Sequence, residues 1–345
     1  MGQPPQLRVN GTWLSHQYAW GEVKWSTRWP GGDNEVTWAM DPGLATRLPE
    51  NALVEVMDGH FPLAAGQVFE PPSGVDGQDG TYTAIGLSRV AEGFQALNVA
   101  GNATTNIHKA VDPAILRGWA VTRASSVPAL ILTDSELSER LSALSVLLDA
   151  AAVEADLTWH VGPDRALRFS PTPTVPDYLL RPGLVDLAPA SADFARTVVV
   201  RYVNPDGEYA SVFAPAPLGA GAPERPEDVT ILGPIPTARA QRIADGLLAQ
   251  VRSPGWTGAL DVQPGDLTTP GGQDADLRRV RAGQMVRLHG LAADAALLGG
   301  RTYLDVVLGA TGYDTATGLG TITPINAAAS GFIANLAATF ASKRR

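Results

Sequence analysis

The residues able to do chemistry are few in kind and widely spread. The five histidines (His16, His60, His108, His160 and His289) include no pair at helical metal-ligand spacing and no HExxH. A metal site would have to be gathered from distant segments, whereas ligand sets usually show as clusters. There is no cysteine, which removes thiol nucleophiles, zinc ribbons, iron–sulfur clusters and disulfides. No GxSxG elbow, P-loop or GxGxxG between strand and helix occurs, and Gly318-Leu319-Gly320 reads as a turn. Asp76-Gly77-Gln78-Asp79-Gly80 superficially resembles a calcium loop. It lacks the acidic residue that closes an EF-hand and reads as a hairpin loop.

Paired carboxylates would suit a glycosidase or lytic transglycosylase. The candidates are Asp33/Glu35 and Asp134/Glu136/Glu139. The second set falls in the first turns of an expected helix, where acidic side chains complement the dipole without catalysis. Five of the 8 tryptophans come early: Trp13, Trp20, Trp25, Trp29 and Trp38. They could form an exposed platform for cell-envelope sugars. Trp25 and Trp29 share strand parity, however, so both are expected in one core. Arg278, Arg279, Arg281 and Arg287 could bind phosphate, but Asp274 and Asp276 precede them. Local neutralisation or an oligomer contact is the expected role. No catalytic, cofactor-binding or metal-binding residue is assigned from the sequence.

The elements that would carry these residues are mostly strands. Within 1–98, Leu7–Leu14 leads into Glu22–Trp29, a turn at Pro30-Gly31-Gly32-Asp33-Asn34, and an answering strand Glu35–Met40. A second pair, Ala52–Met57 and Gly66–Glu70, turns at Asp58-Gly59, and Thr81–Leu87 follows. Turns every 8–15 residues suggest roughly the spacing of a small barrel or sandwich. Within 99–192 a helix is expected from Thr133 to about Asp156, opened by a Thr133/Glu136 capping box, with Leu137, Leu141, Leu144, Leu148 and Ala152 on one face. A short hairpin, Trp159–Gly162 with Arg165–Phe169, precedes an extended Pro-rich connector at 170–176.

Within 193–325 the strongest hairpin joins Thr197–Val203 to Glu208–Phe213. A flexible loop at 214–226 and an inserted helix at 237–252 follow. Strands are then expected at Trp256–Val262, Gln284–Leu288, Arg301–Leu308 and Thr321–Ile325. Asn326 caps a last helix over 326–345 bearing Phe332, Ile333, Leu336 and Phe340. The fold class is mainly β with α/β parts.

Composition narrows the classes further. In 345 residues, 45% are hydrophobic and 18% charged, which excludes a disordered or supercharged chain. The 36 glycines and 27 prolines imply many turns. A net charge of −9 argues against a protein that coats nucleic-acid phosphates. Met1-Gly2-Gln3-Pro4-Pro5-Gln6 has neither the charged nor the apolar region of a secretory leader, so none is expected. No apolar run approaches the ~18 residues of a membrane helix, and no membrane insertion is expected.

The order of these segments resembles the minor tail proteins of siphophages of actinobacteria, which in turn look like the baseplate hub (tail-associated) proteins of tailed phages. The residues carrying it are Val9-Asn10-Gly11, the Trp25–Trp38 hairpin around Gly31-Gly32-Asp33, Val68-Phe69-Glu70-Pro71-Pro72 and Ala84-Ile85-Gly86-Leu87. In the middle they are Ser135-Glu136-Leu137, Pro171-Thr172-Pro173 and Tyr178-Leu179-Leu180-Arg181-Pro182-Gly183. Thr197–Tyr202, Asp266–Gly272, Asp276-Leu277 and Arg281-Ala282-Gly283 extend it to about residue 325.

The resemblance implies a phage tail-hub fold: a first β-barrel domain (1–98), a mixed α/β domain (99–192), a second β-barrel domain with its inserted helix (193–325) and a C-terminal helix (326–345). It also implies a structural, non-enzymatic homotrimer at the virion tail tip, made in the host cytoplasm. Two similar barrels per subunit would adapt a threefold tip to a sixfold tube. The implied partners are the distal tail protein, the tape-measure C-terminus and other minor tail proteins, with phage DNA passing through without specific binding. No cofactor is implied. The chain stops at Arg345 without the long extension that carries fibre or hydrolase modules in many such proteins, so receptor binding and wall cleavage are not expected of it. The alternatives are a cell-wall glycan-binding tail module, using the early tryptophans, and a peptidoglycan-cleaving enzyme, using paired carboxylates.

Overall fold

The computed structural model describes residues 5–14, 20–40, 48–49, 51–68, 80–96, 103–122, 143–155, 157–181, 188–190, 195–215, 224–230, 233–251, 255–257, 259–289 and 303–325. The first stretch forms β1 (Gln6–Val9), β2 (Thr12–Trp13), β3 (Trp20–Arg28), β4 (Gly31–Met40), β5 (Leu53–Asp58), β6 (Phe61–Gln67) and β7 (Thr81–Gly86). It ends in a one-turn helix, α1 (Leu87–Val90). Leu7–Leu14 is therefore not one strand. Asn10 (φ 48°) and Gly11 (φ 81°) form a two-residue turn between β1 and β2, with the paired positive φ angles that a type I′ hairpin demands. The expected turn at 30–34 also shrinks. Gly31 and Gly32 already belong to β4, because at φ 129° and 98° they pair with His160 and Val161.

The middle and last stretches supply α2 (Ala103–Leu116), which the sequence pattern does not announce, and α3 (Leu144–Glu154). The latter starts only at Leu144, because Ala143 forms an antiparallel bridge with Gln95, so the expected Thr133–Asp156 helix is not continuous through residue 143; its capping box lies outside the described residues. The hairpin β8 (Thr158–Val161) and β9 (Leu167–Ser170) forms as expected, followed by β10 (Tyr178–Leu180) and β11 (Ala188–Ala190). Next come β12 (Thr197–Val203), β13 (Tyr209–Ala214), β14 (Glu224–Asp228) and α4 (Thr237–Val251). The expected loop 214–226 is thus shorter, since β14 pairs parallel to β12. The chain then forms β15 (Gly255–Thr257), β16 (Leu260–Val262), β17 (Leu267–Thr268), β18 (Met285–His289), β19 (Tyr303–Asp314) and β20 (Leu319–Pro324). The expected helix 326–345 lies outside the described residues.

The chain is mostly β with few helices. The main sheet runs β17-β10-β18-β19-β3-β4-β7-β6-β5-β1-β2, with β20 and β16 branching from β19 and β8 and β9 from β4. Among the described residues this path is open at both ends. Two separate closed barrels are not seen among the described residues: β3 extends its hydrogen bonding to β19, Arg28 beside Ala310 through Lys24 beside Asp314, so one sheet continues across the two strand-rich stretches. One core cluster lies on this sheet around Leu7, Val36, Trp38, Val54 and Tyr82. A second gathers α2, α3, α4 and β12, and a third sits among Leu180, Val262, Leu267, Val286, Leu308 and Ile322. Each large side chain buried as Trp38 and Leu7 are removes apolar surface worth about 1.5–3 kcal/mol.

Candidate functional site

A network of buried polar side chains sits at the junction of β3, β4, β8 and the loop before β18, and a bulge creates it. On β4 the even residues Val36, Trp38 and Met40 are buried while Thr37 and Ala39 face outward. Continued strictly, that alternation would turn Asp33 outward with Glu35. The register instead places Glu35 opposite Ser26 and Asp33 opposite Thr27, leaving Asn34 as the extra residue. A single inserted residue reverses which side chains point inward. Asn34 donates to Ser26 Oγ at 3.1 Å, and Asp33 turns inside, 2% exposed.

Asp33 there joins three parts of the chain. Its Oδ2 accepts the Ala65 N–H of β6 at 2.8 Å, and its Oδ1 accepts from Arg281 Nη1 at 2.9 Å. Its backbone carbonyl accepts from Ser88 Oγ at 3.0 Å. Burial pushes the Asp33 carboxyl up to about 6, against the opposing pull of Arg281 and the Ala65 N–H, with nearby Asp164 adding to the rise. Burial likewise lowers the Arg281 pKa, with Asp33 opposing. The loop carrying Arg281 is itself fastened. Ala282 N–H donates to Thr27 Oγ1 at 2.8 Å, Thr27 and Thr311 hydroxyls meet at 2.6 Å, and Thr311 donates to Val280 O at 3.2 Å. Gln284 Oε1 accepts the Arg281 N–H at 2.6 Å.

A cleft of about 460 Å³ opens beside this pair, lined by Trp29, Asp33, His160, Arg168, Asp177 and Arg281 among others. Trp29 and His160 rings lie 5.4 Å apart, and the Gly283 backbone presses on the Trp29 ring so closely that a Cβ would stand 2.2 Å from it. Burial, with help from Arg168, lowers the His160 pKa, which favours the neutral imidazole; its Nδ1 is buried without a hydrogen-bond partner. Arg168 is held by Asp164. The two carboxylates in the cleft are both engaged, Asp33 as above and Asp177 by the Met285 N–H at 2.8 Å. The chemistry this arrangement performs is fastening: buried charge and backbone donors are spent on joining segments.

The residues singled out in the sequence are mostly not brought together. Glu35 lines a different groove, with Lys24, Asp261 and Asp314, so Asp33 and Glu35 do not share a site. Asp134, Glu136 and Glu139, the Asp76–Asp79 loop and His16 lie outside the described residues. His108, His160 and His289 sit on three separate elements, and His60 lies in the turn between β5 and β6. Trp25 and Trp38 are buried, Trp25 against Tyr313 at 4.8 Å and Trp38 against Tyr82 at 5.5 Å. Trp13 is 40% exposed and Trp29 half-buried in the cleft, so they form no continuous exposed row with Trp25 and Trp38. Trp29 does not join Trp25 in one core, because it lies past the end of β3. The arginines are neutralised separately: Arg278 and Arg279 by Asp276 and Asp58, Arg287 by Asp305, and Arg281 by distant Asp33. Asp33 was legible as a carboxylate beside two glycines, but nothing in the sequence marks the Asn34 bulge that buries it.

No helix among the described residues is long and apolar enough to cross a membrane. Among the described residues there is no cluster of three or more His, Asp or Glu placed to hold a metal ion. No family model and no curated protein matches the sequence. Solved structures do. A tail protein from Neisseria meningitidis MC58 superposes with a TM-score of 0.63 at 14% identity, covering 96% of this chain and 99% of that one. The 43 kDa tail protein of prophage MuSo2 from Shewanella oneidensis gives 0.62 at 10% identity, covering 94% and 98%. Prophage tail protein gp18 from Listeria monocytogenes EGD-e gives 0.59 at 11%, covering 98% of each chain. At these identities the likeness is one of fold: the chain has the fold of phage tail proteins.

Proposed function

We propose that this chain is a structural tail-tip hub subunit of a siphophage, similar to the minor tail proteins of actinobacterial phages. The observation that carries the reading is the length of the shared fold, which spans nearly all of this chain and nearly all of three phage tail proteins. In this reading 1–98 and 193–325 are the two barrel-like units of each subunit, with 99–192 as the mixed unit and 326–345 as a terminal helix. Three copies form a ring that closes the sixfold tube, contacts the distal tail protein, the tape-measure C-terminus and other minor tail proteins, and lets DNA pass. The chain acts in the virion and catalyses nothing. The engagement of both cleft carboxylates by backbone N–H groups supports that last point. The excess of acidic residues suits a channel that must not hold phosphates.

Mass measurement of the purified protein, together with imaging of labelled tails, tests the reading. A trimer located at the tail tip is the expected result. A stable monomer absent from virions overturns it.

A further inference from the structure

The cleft of about 460 Å³ carries the Asp33–Arg281 pair in its inner wall, and the rest of its polar lining is not spent on fastening. Gly283 presses on the benzo part of Trp29, nearest Cε3, Cζ3 and Cδ2, and the indole Nε1 lies at the other end of the ring. Among the described residues no hydrogen bond reaches that N–H, the Ser170 hydroxyl or the imidazole of His160. Arg281 spends only Nη1 on Asp33, and Asp177 gives only Oδ2 to the Met285 N–H. Donors and acceptors are left free together around one cleft.

Charge decides what these groups suit. Both cations are matched in place, Arg281 by Asp33 and Arg168 by Asp164, so an anion meets no uncompensated positive charge. Asp177 has no cation partner among the described residues, but it is exposed, and an ion pair there is worth little. An apolar ligand would strip water from the indole N–H and the hydroxyl and return no hydrogen bond. A peptide is ordinarily read through its backbone along an open strand edge, and β8, the strand bearing His160, has β4 on one side and β9 on the other. What remains is a neutral molecule with many hydroxyls and a C–H surface for rings such as Trp29, Pro171 and Pro173.

We propose that this cleft binds a neutral saccharide of about two sugar rings, a size that suits its volume. The indole N–H and Arg281 donate to sugar oxygens, and Asp177 accepts from a hydroxyl. The sugar is bound and not cleaved, since Asp33 and Asp177 are both held by backbone N–H groups. All the residues involved belong to one chain, so binding is independent of the oligomeric reading.

Full-length protein is titrated by calorimetry with cellobiose, maltose and N,N′-diacetylchitobiose, and with citrate, spermidine and tetra-alanine as anionic, cationic and peptide probes. At least one disaccharide is expected to bind with a dissociation constant of about 1 mM or tighter, and the other three probes are not. Trp29→Phe keeps a ring beneath Gly283 and removes the N–H. Asp177→Asn keeps an acceptor for the Met285 N–H and turns the free oxygen into a donor. Each should weaken the sugar about tenfold without moving the thermal transition. Should either variant melt early, Ser170→Ala takes its place, and Glu224→Gln, outside the cleft, should bind as the parent does. Binding of another probe in place of the disaccharides overturns the proposal. So does sugar binding that the cleft substitutions leave unchanged, or no disaccharide binding up to about 10 mM. A tail-tip trimer that binds no sugar keeps the oligomeric reading and loses this one; a sugar-binding monomer does the reverse.

Discussion

Two arginine–aspartate pairs, close together along the chain at Arg281 and Arg287, occupy opposite environments. Arg287 grips Asp305 through two bonds, at 2.7 and 2.9 Å, across the β18–β19 ladder, and its guanidinium lies 4.1 Å over the Tyr303 ring. Both side chains keep about a quarter of their surface in solvent, at 28% and 25%. Arg281 makes one bond to Asp33, yet the aspartate side chain is only 3% exposed and the partners come from opposite ends of the chain. Counting hydrogen bonds would rank the first pair higher. Desolvation reverses the ranking of consequence, because water can replace a lost partner at the surface and cannot do so inside.

The largest effect is expected from the glycine that lets Asp33 sit where it does. A Cβ on Gly86 would lie 1.9 Å from the Asp33 carbonyl oxygen and 2.7 Å from the Asn34 nitrogen. Gly86→Ala should therefore cost more than about 4 kcal/mol, read as loss of soluble protein or collapse of the thermal transition. Next comes Arg281→Met, which leaves a buried carboxylate without its cation. A loss of about 3–5 kcal/mol at neutral pH is expected in denaturant titration, shrinking in acid as Asp33 takes up a proton. Adding Asp33→Asn should recover most of it, since no buried charge then remains and the Asn oxygen still accepts from the Ala65 N–H. If the double variant is no better than the single one, the pair is not the seam's governing interaction.

The pH dependence follows from the direction of the Asp33 shift. Its folded pKa, about 6, lies above its ordinary value of 3.8, so the folded chain holds the proton more tightly. This group's stabilising contribution is complete below pH 3.8 and is lost as pH rises through about 6. The slope in that window, about 3 kcal/mol in all, should vanish in Asp33→Asn. At the small end, Arg287→Met or Asp305→Asn should change stability by about 0–1 kcal/mol, falling further in high salt. A large effect there would erase the contrast between the two pairs.

Legibility varied with how local the deciding interactions were. The Val198, Val200, Tyr202 alternation and the Asn204-Pro205-Asp206-Gly207 turn located the β12–β13 hairpin, since both signals sit within the hairpin itself. Asn10-Gly11 is an equally local signal, yet the run of strand-forming residues around it reads as one strand. α2 is less visible because it contains Pro113 and two adjacent threonines, Thr104 and Thr105. The site was the least legible part. Arg281 was readable as a member of a basic cluster and Asp33 as a turn residue, and their meeting depends on the β4 bulge, the β3–β19 pairing and the Thr27–Thr311 hydroxyl contact at once.

By itself the sequence determined the chemical vocabulary and the local geometry: no thiols, scattered histidines, strands cut by Gly and Pro, and helices where apolar residues recur at helical spacing. Those follow from side-chain chemistry and from interactions a few residues apart. Only the tertiary structure decided that the strand-rich stretches share one sheet and that Asp33 faces inward to meet Arg281. Register between distant strands is set by the summed burial of whole faces, and a one-residue bulge reverses those faces without leaving a mark in composition or spacing.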